Sequence, residues 1–124
     1  MPYSRGTQAI PTYRAQDKLL VYRRVKIVSG TADKKPPLVE VADAGEADIG
    51  ETEVLVEAGE LIAVRPAKDI GRHSMVSFDA FAAGVTLYGA DGGTVSATIS
   101  GDPVGTAVGA ATSADEIIAV DRVI

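Results

Sequence analysis

Cysteine is absent from this chain, and so are tryptophan and asparagine. Without thiols there is no disulfide, no thiolate metal site and no cysteine nucleophile, and nothing marks a redox compartment. Aromatic residues make up 5% of the chain, which is little material for the large-walled pockets that hold small molecules. A single histidine, His73, falls short of the usual zinc ligand sets. No run approaches the ~18–20 consecutive apolar residues of a membrane helix, so no membrane contact is expected. The opening stretch, MPYSRGTQAIPTYRAQD, lacks the apolar core of a secretion signal. The expectation is a protein that stays in the cytoplasm where it is made until it joins an assembly.

What is present is small and branched. Ala, Val, Ile and Gly dominate the 124 residues, a palette for closely packed sheets, and the length suffices for one core without staples. Charge is divided unevenly along the chain. Residues 1–35 hold eight of the twelve Lys and Arg (Arg5, Arg14, Lys18, Arg23, Arg24, Lys26, Lys34, Lys35) against Asp17 and Asp33 alone, while residues 36–124 hold four against fifteen acidic residues. Such clustering is either a solvated surface or a basic arm that docks on an acidic partner.

Residues 1–17 carry Pro2, Gly6 and Pro11, show no period and read as an extended N-terminal arm. Residues 18–124 read as one β-rich domain. LLVYRRVKIV (19–28), LVEV (38–41), TEVLVEAG (52–59), ELIAV (60–64), SMVSF (74–78), VTLYGA (85–90), TVSATIS (94–100), VGTAVGAA (104–111) and EIIAVDRVI (116–124) are β-branched or alternating runs. Between them lie TADKKPP (31–37), the acidic ADAGEADIGE (42–51), Asp91-Gly92-Gly93 and Gly101-Asp102-Pro103, all turn chemistry. Ala67 to Ile70, stopped by Gly71, and DAFAAG (79–84), capped by Asp79, suit short helical turns. The fold class is all-β: a small barrel or sandwich of about eight short strands with one or two helical turns. No repeat of fixed period is visible.

Catalytic chemistry finds few carriers. His73 stands beside Ser74, but neighbours on a strand point to opposite faces, so Ser74 cannot serve it as a nucleophile, and His73 reads as a surface or loop histidine. The acidic run Asp43, Glu46, Asp48, Glu51, Glu53 lacks the spacing of a calcium loop and reads as a solvated turn. GADGG (89–93) and GTAVG (105–109) match neither a P-loop nor a dinucleotide-binding fingerprint. No catalytic residue, cofactor or metal is expected. Nucleic acid is disfavoured as well, because the acidic body would repel phosphates.

From Ala44 onward the order of features resembles the small capsid cement (decoration) proteins of tailed bacteriophages. ADIGETEVLVEAGELIAV (47–64) matches the first half of that family's β-rich domain, KDIGRHSMVSFDA (68–80) its central step, and ADGGTVSATISGDPVGTAVGAATSADEIIAVDRVI (90–124) its closing segment. The resemblance covers about two thirds of the chain and rests on glycines at turns and valines in strands; the basic arm and the strand after it have no counterpart. It implies a non-enzymatic virion protein on the capsid exterior, a homotrimer that binds and stabilises the major capsid protein shell. The basic, partly apolar first third supplies the docking set for such a contact: Tyr3, Arg5, Ile10, Tyr13, Arg14, Arg23, Arg24 and Lys26. The rival expectation is a small β-barrel adaptor for a carbohydrate or protein ligand.

Overall fold

The computed structural model describes residues 12–122. Among these residues are ten strands: β1 (Thr12–Ala15), β2 (Arg24–Ile27), β3 (Leu38–Val41), β4 (Gly50–Thr52), β5 (Leu61–Pro66), β6 (Gly71–Val76), β7 (Thr86–Ala90), β8 (Thr94–Ser96), β9 (Pro103–Ala107) and β10 (Ile117–Arg122). The first five close into a barrel in the order β1-β3-β2-β4-β5, with β1 and β3 parallel. The last five form a sheet in the order β6-β10-β9-β7-β8. A parallel bridge between Ser77 and Val95, with the Phe78 amide donating to the Val95 carbonyl at 2.8 Å, brings the two edges of that sheet together. The fold is therefore all-β, with ten strands where about eight were expected.

The two halves are copies of one another. Every strand neighbour in the first barrel has its counterpart in the second, β1 through β5 corresponding to β6 through β10. The register agrees residue by residue: Val25 faces Gly50 as Leu87 faces Gly105, and Thr52 faces Val64 as Ala107 faces Val120. The loops agree too. Ala15 donates to Glu60 and accepts from Gly59, as Ser77 donates to Glu116 and accepts from Asp115. Gly59 and Asp115 share the left-handed backbone region, at φ 86° and 64°. A Cβ on Gly50 would lie 2.0 Å from the Arg65 carbonyl oxygen, and one on Gly105 2.4 Å from that of Asp121. Both positions exclude any side chain because a carbonyl of the paired neighbouring strand lies where the Cβ would be.

Each barrel has its own core, and the cores match. Leu19, Val25, Val39, Val56, Ile62 and Val64 fill the first; Phe81, Leu87, Val95, Ala111, Ile118 and Val120 stand at the same places in the second. Each such buried side chain contributes roughly 1.5–3 kcal/mol relative to exposure. The duplication is legible in one stretch of sequence, AGELIAV (58–64) returning as ADEIIAV (114–120), which the search for a fixed period passes over. A seven-residue-longer link between β2 and β3 than between β7 and β8, 28–37 against 91–93, breaks any constant spacing.

Several expectations are corrected. Residues 1–11 of the expected arm lie outside the described residues, but its end, Thr12–Ala15, is β1 of the closed barrel, paired on both sides. The run 19–28 is a strand only at Arg24–Ile27: Leu19 makes an isolated bridge to Val56, and Tyr22 turns the chain at φ 58°, where the second barrel has Gly84 at 83°. TEVLVEAG is mostly loop, because Val54 and Leu55 are exposed and Val56 alone reaches the core. Neither Ala67–Ile70 nor 79–84 is helical. Gly71 opens β6, and the single helical turn among the described residues is Asp91–Gly93, in the β7–β8 hairpin.

Candidate functional site

The most unusual chemistry lies in the seam between the barrels. In β2, Val25 and Ile27 face the first core, so alternation turns Arg24 outward. Outward here is not toward solvent, because the second barrel covers it and leaves Arg24 0% exposed. All five guanidinium donors are taken. Nε donates to Thr94 O (3.1 Å), Nη2 to Ala42 O (2.9 Å) and Ala90 O (3.1 Å), and Nη1 to Glu46 O and Asp48 Oδ2 (both 3.4 Å). Burial lowers the Arg24 pKa, with Asp48 opposing. Gly89 makes room for the group, since a Cβ there would sit 2.6 Å from Arg24 Nη2.

Beside it a second pair crosses the seam. Arg122 on β10 donates to Asp48 Oδ1 at 2.8 Å and stands 3.5 Å from Glu51 Oε1. His73 on β6 is 1% exposed, with Nδ1 against Glu51 Oε2 and Nε2 donating to the Asp69 carbonyl at 2.5 Å. A carbonyl accepts only, so Nε2 carries a hydrogen, and Nδ1 faces the Glu51 carboxyl. Burial raises the Glu51 pKa, with Arg122 and His73 opposing. Farther along the seam, Gly92 N donates to Asp43 Oδ1 (2.9 Å) and Ala44 N to Asp91 Oδ1 (3.2 Å).

This arrangement overturns two expectations. His73 is a buried histidine, not a surface one, and both ring nitrogens are occupied. The acidic run is only partly a solvated turn: Asp48 and Glu51 are buried counter-charges, and Glu46 is engaged by Lys26. Most of the seam's polar groups engage one another across the barrels, while Glu51 Oε1 and Arg122 Nε make no hydrogen bond. Among the described residues no three His, Cys, Asp or Glu side chains are placed to hold a metal ion. Phe78 is the one exposed aromatic among them, with Tyr13, Tyr22 and Tyr88 partly exposed.

The docking set is dispersed by the fold. Tyr3, Arg5 and Ile10 lie outside the described residues. Tyr13 packs against the first core, and Arg14, on the exposed side of β1, donates to Gly59 O at 2.6 Å. Arg23 reaches across the seam to Gly92 O at 3.2 Å. Arg24 is wholly inside and is removed from the set, because no partner surface can reach it. Lys26 is half-buried and paired with Glu46, with Glu40 at 4.0 Å; its pKa is raised and that of Glu46 lowered by their hydrogen bond. In the basic first third the exposed cations among the described residues are Arg14, Lys18, Lys34 and Lys35, the last two on the long link between β2 and β3; Lys68 and Arg72 are exposed beyond it. Sequence reasoning missed the seam partners Asp48, Glu51, His73 and Arg122, whose role depends on a second barrel covering the first.

No protein-family model matches this chain, and no curated protein sequence does. Among solved structures, the fold is similar to the crystal structure of the head fiber gp8.5 N base in bacteriophage phi29. The superposition covers 90% of this chain and 91% of that one, with a TM-score of 0.72 and 17% sequence identity.

Proposed function

We propose that this chain is a non-enzymatic structural protein of a phage virion, seated on the capsid exterior as a homotrimer and bound to the major capsid protein. The observation that supports this reading is the shared two-barrel fold with a phage head fiber base over nine tenths of both chains. The chemistry of the seam is compatible with this reading, since Arg122 pairs with Asp48 and Glu51 across the two barrels.

Docking would use the basic first third. Arg14, Lys18, Lys34 and Lys35 are exposed on the first barrel, and Tyr3 and Arg5 precede it. Each exposed ion pair contributes under about 1 kcal/mol, so several must act together and apolar contact must add to them. Three linked copies would multiply such weak contacts. The trimer is checked by sedimentation equilibrium of the free protein.

The test is a titration of cognate capsid shells with the full-length chain and with a chain lacking residues 1–8. Full-length protein should bind, more weakly as salt rises, because exposed pairs are screened beyond ~8 Å at physiological ionic strength. The shortened chain should fold and bind more weakly still. No binding by the full-length chain at low salt would refute the reading.

A further inference from the structure

The seam uses once a contact for which the duplicated plan supplies the parts twice. In the second barrel the β7–β8 hairpin, Asp91–Gly93, sits on the β3–β4 loop of the first: Gly92 N donates to Asp43 Oδ1, and Asp91 Oδ1 accepts from Ala44 N. By the same correspondence the first barrel has its own hairpin, the link 28–37 between β2 and β3, and the second has its own loop, 97–102 between β8 and β9. Ile99 stands four residues after Val95, as Asp43 does after Val39. β2 starts in the seam at Arg24 and leads away from it to the link, and among the described residues no hydrogen bond or ion pair joins that hairpin to that loop. One hairpin and one barrel face are therefore unmatched.

Their chemistry is complementary. Phe78 is 48% exposed and Ile99 78%, and both line a hollow of about 250 Å³ with Ser96, Thr98 and Asp91. The first barrel has the polar Gln16 and Asp43 at these two places, Gln16 N donating to Val39 O as Phe78 N does to Val95 O. Carboxylates gather around the hollow: Asp91 in its wall, Asp43 next to the lining Ala44, and Asp79, which accepts from Ser96 Oγ at 3.2 Å. Arg23, half-buried against Gly92 O, is the cation beside them. The link presents the opposite sign. Lys34 and Lys35 are exposed and their side chains have no partner among the described residues, and residues 1–11 contain no acidic side chain to supply one. Thr31 holds the link in shape, its hydroxyl donating to Val28 O at 2.8 Å and accepting from Leu38 N at 3.2 Å, while Lys34 N donates to Thr31 O at 3.0 Å. Pro36 and Pro37 stiffen its exit. A tip held this way loses little freedom when it binds.

We infer that the link 28–37 of one copy docks on the Phe78–Ile99 hollow of a second copy, repeating between chains the hairpin-on-barrel contact of the seam. The inference rests on the homotrimer reading and names the surfaces that meet in it. The contact joins two different patches, and contacts of that kind close into rings. The lysine stems lie along Phe78 and Ile99 while their ammonium groups reach the aspartates. Lys34 and Lys35 are then engaged between copies, and Arg14 and Lys18 remain for the shell.

Sedimentation equilibrium of the full-length chain and its variants tests this. The unaltered chain should be a trimer. Lys34→Glu with Lys35→Glu, and separately Ile99→Lys, should each weaken self-association by about tenfold or more. Their urea midpoints should stay near that of the parent, because all three side chains are exposed. Lys68→Glu with Ile70→Lys alters side chains exposed elsewhere and should leave the trimer intact. A mixture of the two associating-face variants should recover association that neither shows alone, since the hairpin of one still fits the hollow of the other. Trimers that survive both sets of substitutions would overturn this inference and leave the homotrimer reading standing. A monomeric unaltered chain would overturn the homotrimer reading and this inference with it.

Discussion

The two barrels share ladders, turns and core positions, yet their outer faces differ. In the first, the outward positions Arg24 and Glu51 are charged and buried; in the second, their counterparts Thr86 and Thr106 are uncharged and exposed. Arg122, buried in the seam, has the exposed Pro66 as its counterpart. One barrel plan therefore serves two situations. Interior positions are constrained by packing, which small apolar residues and close-approach glycines satisfy in both copies. Outer positions are constrained only by what comes to cover them, and there the copies have diverged.

The largest way to sharpen this comparison is to truncate the same position in both barrels. Arg24→Ala strips five acceptors of their donor and leaves Asp48 buried with one partner fewer. Loss of one member of such a buried set costs about 3–5 kcal/mol. Thr86→Ala, on the exposed counterpart, should stay within about 0.5 kcal/mol. Urea unfolding of the two variants checks both values, and equal costs would break the comparison.

Next come the close-approach glycines, where the barrels should behave alike. Gly105→Ala should cost about 1–3 kcal/mol from overpacking against the Asp121 carbonyl. Gly50→Ala should cost more, because its φ of 151° adds backbone strain of about 1–3 kcal/mol. Thermal unfolding gives the order; a mild Gly50→Ala would contradict the close approach.

Smaller effects are expected at the left-handed turn. Gly59→Ala meets no atom within 4 Å and pays only for its φ of 86°, about 1 kcal/mol. Asp115→Gly, at φ 64°, should be neutral or stabilising by up to about 1 kcal/mol. Chemical denaturation of the pair reads the two signs.

Two carboxyls should leave opposite signatures in the pH dependence of stability. Glu116 is held below the usual carboxylate range by hydrogen bonds from Thr112 and Ser113. Its contribution is present above the unfolded value and is lost as pH falls through the lowered one. Glu51 is raised by burial, so its contribution is full below the unfolded value and declines as pH rises through the raised one. Denaturation midpoints across pH should lose the acid-side slope in Glu116→Gln and the upper-side decline in Glu51→Gln.

How far sequence reading reached follows the same division. Alternating Val and Ile in LVEV, ELIAV and EIIAV marked strands and cores, because apolar periodicity is a local record of burial. Asp91-Gly92-Gly93 marked a hairpin for the same reason. TEVLVEAG misled because its alternation is real but, of its apolar run Val54–Val56, only Val56 is covered. Arg24, Asp48, Glu51, His73 and Arg122 could not be read as buried, since charge is the ordinary sign of a solvated face. The cover over them comes from a barrel distant in sequence. The basic first third was read as one docking arm, whereas Arg23, Arg24 and Lys26 are engaged within the fold.

The central claim is that this two-barrel body sits on a phage shell, and imaging tests it most directly. Cognate capsids incubated with excess full-length protein, then reconstructed by cryo-electron microscopy, should carry two-barrel density on their outer surface in groups of three. Bare shells at saturating protein, or density confined to the interior, would contradict the account.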